Sequence, residues 1–254
     1  MVAFRPRVFR ALRRDEVFAG VRLGFFMFCG YAFQTAGLRY TTASNSGFIT
    51  GSSVVLVPLI LMLFWGKHVT LWVCLGTVAA GAGLYFLTVP ASGAAHLNRG
   101  DVLTFFAAVS YAVHIILVGQ YAREHSAAAM SVLQVLACAV MAWLTAFGAH
   151  AIRWQPMRFA SSPELWIGIA VCALFATAVA FSLQLWAQQY TTPSHAAILF
   201  TLEPVFAAIT SYLVLGERLG LRSVAGAGMV LVGILAAELL GPPAAPESPE
   251  PTGT

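Results

Sequence analysis

Long apolar stretches alternate along the chain with short polar pieces that hold nearly all of the Arg, Lys, Asp and Glu. Each apolar stretch matches the helix of about 20 residues that crosses a bilayer. Eight spans are read, at about 17–38, 43–65, 69–89, 101–121, 127–149, 164–188, 194–215 and 221–240. The dividers are Arg39-Tyr40-Thr41-Thr42, Gly66-Lys67-His68, residues 90–100, Arg123-Glu124-His125, residues 153–163, residues 189–193 and Gly216-Glu217-Arg218. Most are only a few residues long, so successive helices must pack antiparallel. The pattern predicts an all-α, polytopic membrane helix bundle of about eight transmembrane helices. Residues 241–254, Pro-rich with Ala, Glu and Ser, read as a disordered tail.

Composition narrows the class. Of 254 residues, 59% are apolar and 9% charged, with a mean hydropathy of +0.80, whereas soluble domains carry about a quarter charged residues. A water-soluble catalytic domain does not fit that distribution. The net charge is +4, and Arg5, Arg7, Arg10, Arg13 and Arg14 crowd the amino end. Immediately before an apolar span, such a cluster reads as a cytoplasmic topology anchor and not as a nucleic-acid site. Residues 1–16 are therefore taken as a cytoplasmic basic segment. Eight spans return the carboxyl end to the same side, in an inner or plasma membrane. Asp15, Glu16 and the length of the next apolar run argue against a cleaved signal peptide. Cys29, Cys74, Cys138 and Cys172 lie far apart in apolar stretches, as packed hydrophobes and not as a metal or disulfide framework.

The chain also resembles itself at a constant offset of 150 residues. Gln34 matches Gln184, Tyr40-Thr41-Thr42 matches Tyr190-Thr191-Thr192, and Ser44 matches Ser194. Leu63, Gly66, Leu71, Gly76 and Gly83 match Leu213, Gly216, Leu221, Gly226 and Gly233. A single Leu carries no weight in apolar sequence, but a Tyr-Thr-Thr junction and glycines in register do. Across the offset, spans one, two and three correspond to spans six, seven and eight. A shift of five helices turns each copy over in the bilayer. Inverted repeats of this kind underlie many secondary transporters, because exchanging the conformations of two such halves opens a central site to alternate sides.

The segments carrying the repeat resemble a known family. Phe33-Gln34-Thr35-Ala36-Gly37-Leu38-Arg39-Tyr40-Thr41-Thr42-Ala43-Ser44-Asn45, continuing to Val57-Pro58, is similar to the EamA-type drug/metabolite transporter superfamily. So are Gln189-Tyr190-Thr191-Thr192-Pro193-Ser194-His195, Leu202-Glu203-Pro204-Val205 and Gly216-Glu217-Arg218-Leu219. The resemblance covers about residues 15–240. It implies ten helices in two inverted five-helix repeats, moving small metabolites, often amino acids or related compounds, without ATP hydrolysis. On that pattern span one is the family's third helix. Residues 17–100 then form an incomplete first repeat of three helices, and 101–240 a second repeat of five.

Polar side chains at membrane depth are the candidate site. Glu203 lies about 14 Å into span seven, where an ionisable group is costly and must face the bundle, pair or be protonated. It is the candidate for proton coupling. Pro204 has no amide hydrogen, so the carbonyl of Phe200 loses its helical donor. Helical spacing puts Ala196, Phe200, Glu203, Ala207 and Thr210 on one face, and Ser46, Thr50, Ser53 and Val57 on its counterpart, both read as facing the centre. His114 shares a face with Thr104, Ala107 and Tyr111. Gln34, Gln184 and Gln134 offer paired donors and acceptors suited to zwitterions, although interhelical bonding is their simpler role. Gln34, Thr50, Ser53, Tyr111, His114, Gln134, Gln184 and Glu203 are thus the substrate-binding candidates. Trp143, Trp166 and Trp186 read as interfacial belt residues, and Gly76, Gly83, Gly226 and Gly233 as close-packing positions.

The expected function is secondary transport of a small metabolite, with drugs among the options, by alternating access. The partners expected are a small-molecule substrate and lipid, with homodimerisation left open and no nucleic acid. No metal, cofactor or nucleotide loop is implied. The rival readings are an inactive truncated transporter and a membrane scaffold. A membrane-embedded enzyme is disfavoured by short loops and by aspartates only at Asp15 and Asp101.

Overall fold

The computed structural model describes residues 13–41, 43–67, 69–89, 98–151, 161–210, 213 and 220–240. The basic segment before residue 13, the tail after residue 240, the Gly216-Glu217-Arg218 divider and most of the divider at 153–163 lie outside the described residues. Among those described there are helices and no strands. In order they are α1 (Arg14–Gly37), α2 (Ala43–Gly51), α3 (Ser53–Trp65), α4 (Leu71–Thr88), α5 (Arg99–Glu124), α6 (Ala127–Ala151), α7 (Pro163–Val171), α8 (Ala180–Ala187), α9 (Pro193–Phe200), α10 (Leu202–Thr210) and α11 (Leu221–Leu240). Between α7 and α8 the residues Cys172–Val179 are π-helical. Among the described residues five helical stretches are long and apolar enough to cross a membrane, and two shorter apolar helices occupy Leu71–Phe86 and Leu221–Ala237.

The eight anticipated spans are all helical where described, but three are not uniform. Span two is interrupted at Ser52 and span seven at Thr201, and both interrupting residues hold nearly the same backbone angles (φ −62°, ψ −10° and φ −68°, ψ −9°). The cause is local. The Ser52 hydroxyl donates to the carbonyl of Ile49, and the Thr201 hydroxyl to that of Ile198 at 2.6 Å, so each side chain competes for backbone acceptors. Backbone bonds then tighten to three-residue spacing. In span six, Thr177 Oγ1 donates to the Cys172 carbonyl, five residues back, at 3.0 Å within the π-helical turn.

The chain divides into two compact units, Met1–Ala32 with Leu117–Gln189, and Phe33–Ile116 with Tyr190–Thr254. In the first, α1 presses onto α6 through Gly20 and Gly24. A Cβ on Gly20 would strike Leu133, and one on Gly24 would lie 2.6 Å from both the Ala137 Cβ and the Gln134 carbonyl. Ser131 on α6 and Ser182 on α8 share a hydrogen bond of 2.8 Å. Arg22, eight residues into α1, donates to the Tyr121 hydroxyl at 2.9 Å and lies over the Phe18 ring. Such pairing relieves a guanidinium that an apolar span cannot solvate. Trp143, Trp166 and Trp186 are all more than half exposed, as belt residues should be.

The second unit has an apolar core in which Val54, Val57 and Leu61 of α3 pack against α9, which carries Ala196, Ala197 and Ile198, and the cluster continues to Val230, Ile234 and Ala237 of α11. Gly66 closes α3 with a left-handed conformation (φ 60°), which glycine adopts without steric cost. The tightest packing is between α4 and α11, which run antiparallel. A Cβ on Gly76 would sit 2.6 Å from the Gly233 carbonyl, and one on Gly83 would sit 2.6 Å from the Gly226 carbonyl. Because the 150-residue offset relates Gly76 to Gly226 and Gly83 to Gly233, each contact maps onto the other. The secondary contacts follow suit: a Cβ on Gly233 would lie 2.9 Å from the Ala80 amide, and one on Gly83 2.7 Å from the Val230 amide. Ala80 and Val230 are themselves offset mates. The seam is a local two-fold.

Candidate functional site

The two interrupted helices belong to the second unit, and α3 packs against α9 there. An interruption puts backbone polar groups and small hydroxyls where an unbroken helix would show only side chains to an apolar surround. On α2–α3, Ser46 and Val57 are buried while Thr50 and Ser53 are half-buried. Thr50 donates to the Ser46 carbonyl at 2.8 Å and to that of Gly47 at 3.2 Å. The Ser46 hydroxyl, 1% exposed, has no hydrogen-bond partner among the described residues.

Glu203 follows the second interruption by two residues, in the first turn of α10. Its carboxylate is exposed and makes no hydrogen bond or ion pair among the described residues. Phe200 and Thr210 on the same face are also exposed, whereas Thr201 and Val205 are buried. The face carrying Glu203 is therefore not the one α10 uses for packing, unlike the Ser46–Val57 face. Pairing of this carboxyl is not seen among the described residues.

Two other candidates meet directly. Tyr111 on α5 donates to the Oε1 of Gln34, on the last turns of α1, at 3.0 Å. His114, one turn along from Tyr111, is buried with Thr104 and Ala107, so the predicted α5 face is an inward one. Gln134 and Gln184 belong to the first unit. Gln134 is fully buried, and Gln184 donates to Gln188 Oε1 at 3.2 Å within its own helical turn. Although the offset relates them, Gln34 bonds across helices while Gln184, among the described residues, bonds within its own turn.

Three polar groups stand out that the sequence reading passed over. His195, 3% exposed, lies in the first turn of α9, where its amide donates to the capping Thr192 hydroxyl at 3.3 Å. Ser194 beside it is also buried. Asp101, 4% exposed, accepts from the Thr41 hydroxyl and, at 3.0 Å, from the Asn98 amide. Asn98 Oδ1 in return accepts from the Gly100 and Asp101 amides at 2.7 and 3.1 Å. This is a reciprocal capping box at the start of α5, tied by Thr41 to the end of α1.

Comparison with known proteins agrees with this architecture. The model of the EamA-like transporter family matches residues 2–89 and 98–238. A protein of Archaeoglobus fulgidus named as an uncharacterized transporter is 34% identical over 220 residues, covering 87% of this chain and 68% of its own. The threonine/homoserine exporter RhtA of Escherichia coli K12 is 26% identical over 220 residues, covering 85% and 68%. A solved crystal structure superposes with a TM-score of 0.74 over 92% of this chain and 79% of that one, at 17% identity, a likeness of fold.

Proposed function

Since this chain belongs to the EamA-like transporter family and is a multi-pass membrane transporter, we propose that it is a secondary transporter of small polar metabolites, working by alternating access in the inner or plasma membrane. Amino acids and related compounds are the substrate class. The observation carrying this reading is the pair of interrupted helices at Ser52 and Thr201, with Glu203, which has no partner among the described residues, just past the second. The reciprocal glycine seam and the two stretches matched by the family model support two inverted copies, 17–100 and 101–240. The printed name of RhtA supports the substrate class.

Glu203 takes and releases the coupling proton, and Gln34, Thr50, Ser53, Tyr111 and His114 offer hydrogen bonds to the substrate. An amino acid needs donors for its carboxylate and acceptors for its ammonium group, and Gln, Ser, Thr and Tyr supply both. No hydrolytic chemistry is involved.

The test is Glu203→Gln in proteoliposomes, with threonine and homoserine as probes. The variant should insert normally and keep substrate exchange down a concentration gradient, yet lose proton-driven accumulation. Its transport should also lose dependence on pH between about pH 5 and 8. Wild-type pH dependence in the variant would remove Glu203 from the coupling role.

A further inference from the structure

We infer that Arg222 forms a binding site for the phosphate of an anionic phospholipid, at the end of the α4–α11 seam. Arg222 lies on the same face of α11 as Gly226, Val230 and Gly233, one turn before the first seam glycine. Its guanidinium carbon sits 5.4 Å from the Tyr85 ring centre and 5.1 Å from that of Phe86. Tyr85 is in turn braced edge-on by Phe48 at 5.5 Å. Two rings thus hold the cation in place, as aromatic faces do for a guanidinium.

The guanidinium meets no acidic side chain among the described residues. Its Nε is buried without a hydrogen-bond partner, and no ion pair to Arg222 occurs among the described residues. The terminal nitrogens of a guanidinium are a planar pair of donors, the geometry that binds a phosphate or carboxylate through parallel hydrogen bonds. The surroundings add to the attraction. α11 has no acidic residue in its first turn, and the leading amides of a helix have no acceptor of their own.

The neighbours select lipid over a soluble oxyanion. Leu221 is 87% exposed, Val224 53% and Phe86 38%. In a membrane those apolar surfaces meet acyl chains, and an arginine at the start of the span sits level with headgroups. A phosphate carried on acyl chains therefore gains contacts that a free one lacks. This site is separate from Glu203 and does not depend on the transport reading.

The test is native mass spectrometry of the full-length protein, wild type and Arg222→Gln, with phosphatidylglycerol, phosphatidylcholine and glycerol 3-phosphate as separate probes. Wild type should retain phosphatidylglycerol in preference to phosphatidylcholine, and Arg222→Gln should bind it about tenfold more weakly, as expected for loss of a charge-assisted pair. Phe86→Leu keeps the charge but removes one ring, and should weaken retention about threefold even if the glutamine variant fails to insert. Equal retention by wild type and Arg222→Gln, or by wild type and Phe86→Leu, would overturn the site. Glycerol 3-phosphate binding as tightly as phosphatidylglycerol would overturn the lipid assignment.

Discussion

Replacing Gly83 with leucine should abolish accumulation of folded protein in the membrane. The new Cβ would meet the Gly226 carbonyl at 2.6 Å and the Val230 amide at 2.7 Å, backbone atoms that no rotamer change can move. Overpacking a well-filled interior costs about 1–3 kcal/mol even where side chains yield, so about 3 kcal/mol or more is expected here. Membrane helices have little hydrophobic drive to associate and depend on this closeness. The two-fold character of the seam adds a sharper expectation. Gly233→Leu should be as damaging as Gly83→Leu, because its Cβ would meet the Gly76 carbonyl at 2.7 Å and the Ala80 amide at 2.9 Å. Gly228→Leu, on the same helix with no atom within 4 Å of its Cβ, should be tolerated. Fluorescence-detected size exclusion of the three variants checks this. A folded Gly83→Leu protein, or a damaging Gly228→Leu, would contradict the seam.

The second large effect is expected from Asp101→Ala. It removes the acceptor used by the Thr41 hydroxyl and the Asn98 amide in a site only 4% exposed. Hydrogen bonds to a charged group contribute about 1.5–3 kcal/mol each, and the orphaned donors add their own cost. Thermal unfolding in detergent should show a loss of about 3 kcal/mol. Thr41→Val alone should cost less, and combining it with Asp101→Ala should add little, since the two share one bond. Full additivity would mean that Thr41 and Asp101 do not act together.

Much of this fold was legible because membrane spans announce themselves by length and hydropathy. The interruptions at Ser52 and Thr201 were not, because a single hydroxyl inside an apolar run does not alter the hydropathy that marks the span. The glycine register was readable as a repeat. That Gly76 would meet Gly233 and not its own mate Gly226 required the antiparallel pairing of α4 with α11. The Asn98-Arg99-Gly100-Asp101 spacing before an apolar run was a visible capping signal. Gln34 and Tyr111, 77 residues apart in the sequence, are hydrogen-bonded to each other. Glu203 proved exposed on the face that α10 does not pack, an orientation that helical periodicity leaves open when both faces are largely apolar.

The central claim is that two homologous stretches lie inverted in the bilayer. It is tested most directly by placing a single cysteine at Tyr40 or at Tyr190, with Cys29, Cys74, Cys138 and Cys172 removed. Each protein is then labelled with a membrane-impermeant maleimide in right-side-out and in inside-out vesicles. The account predicts opposite patterns, one junction labelling only in one vesicle type and the other only in the reverse. Labelling of both from the same side would contradict it.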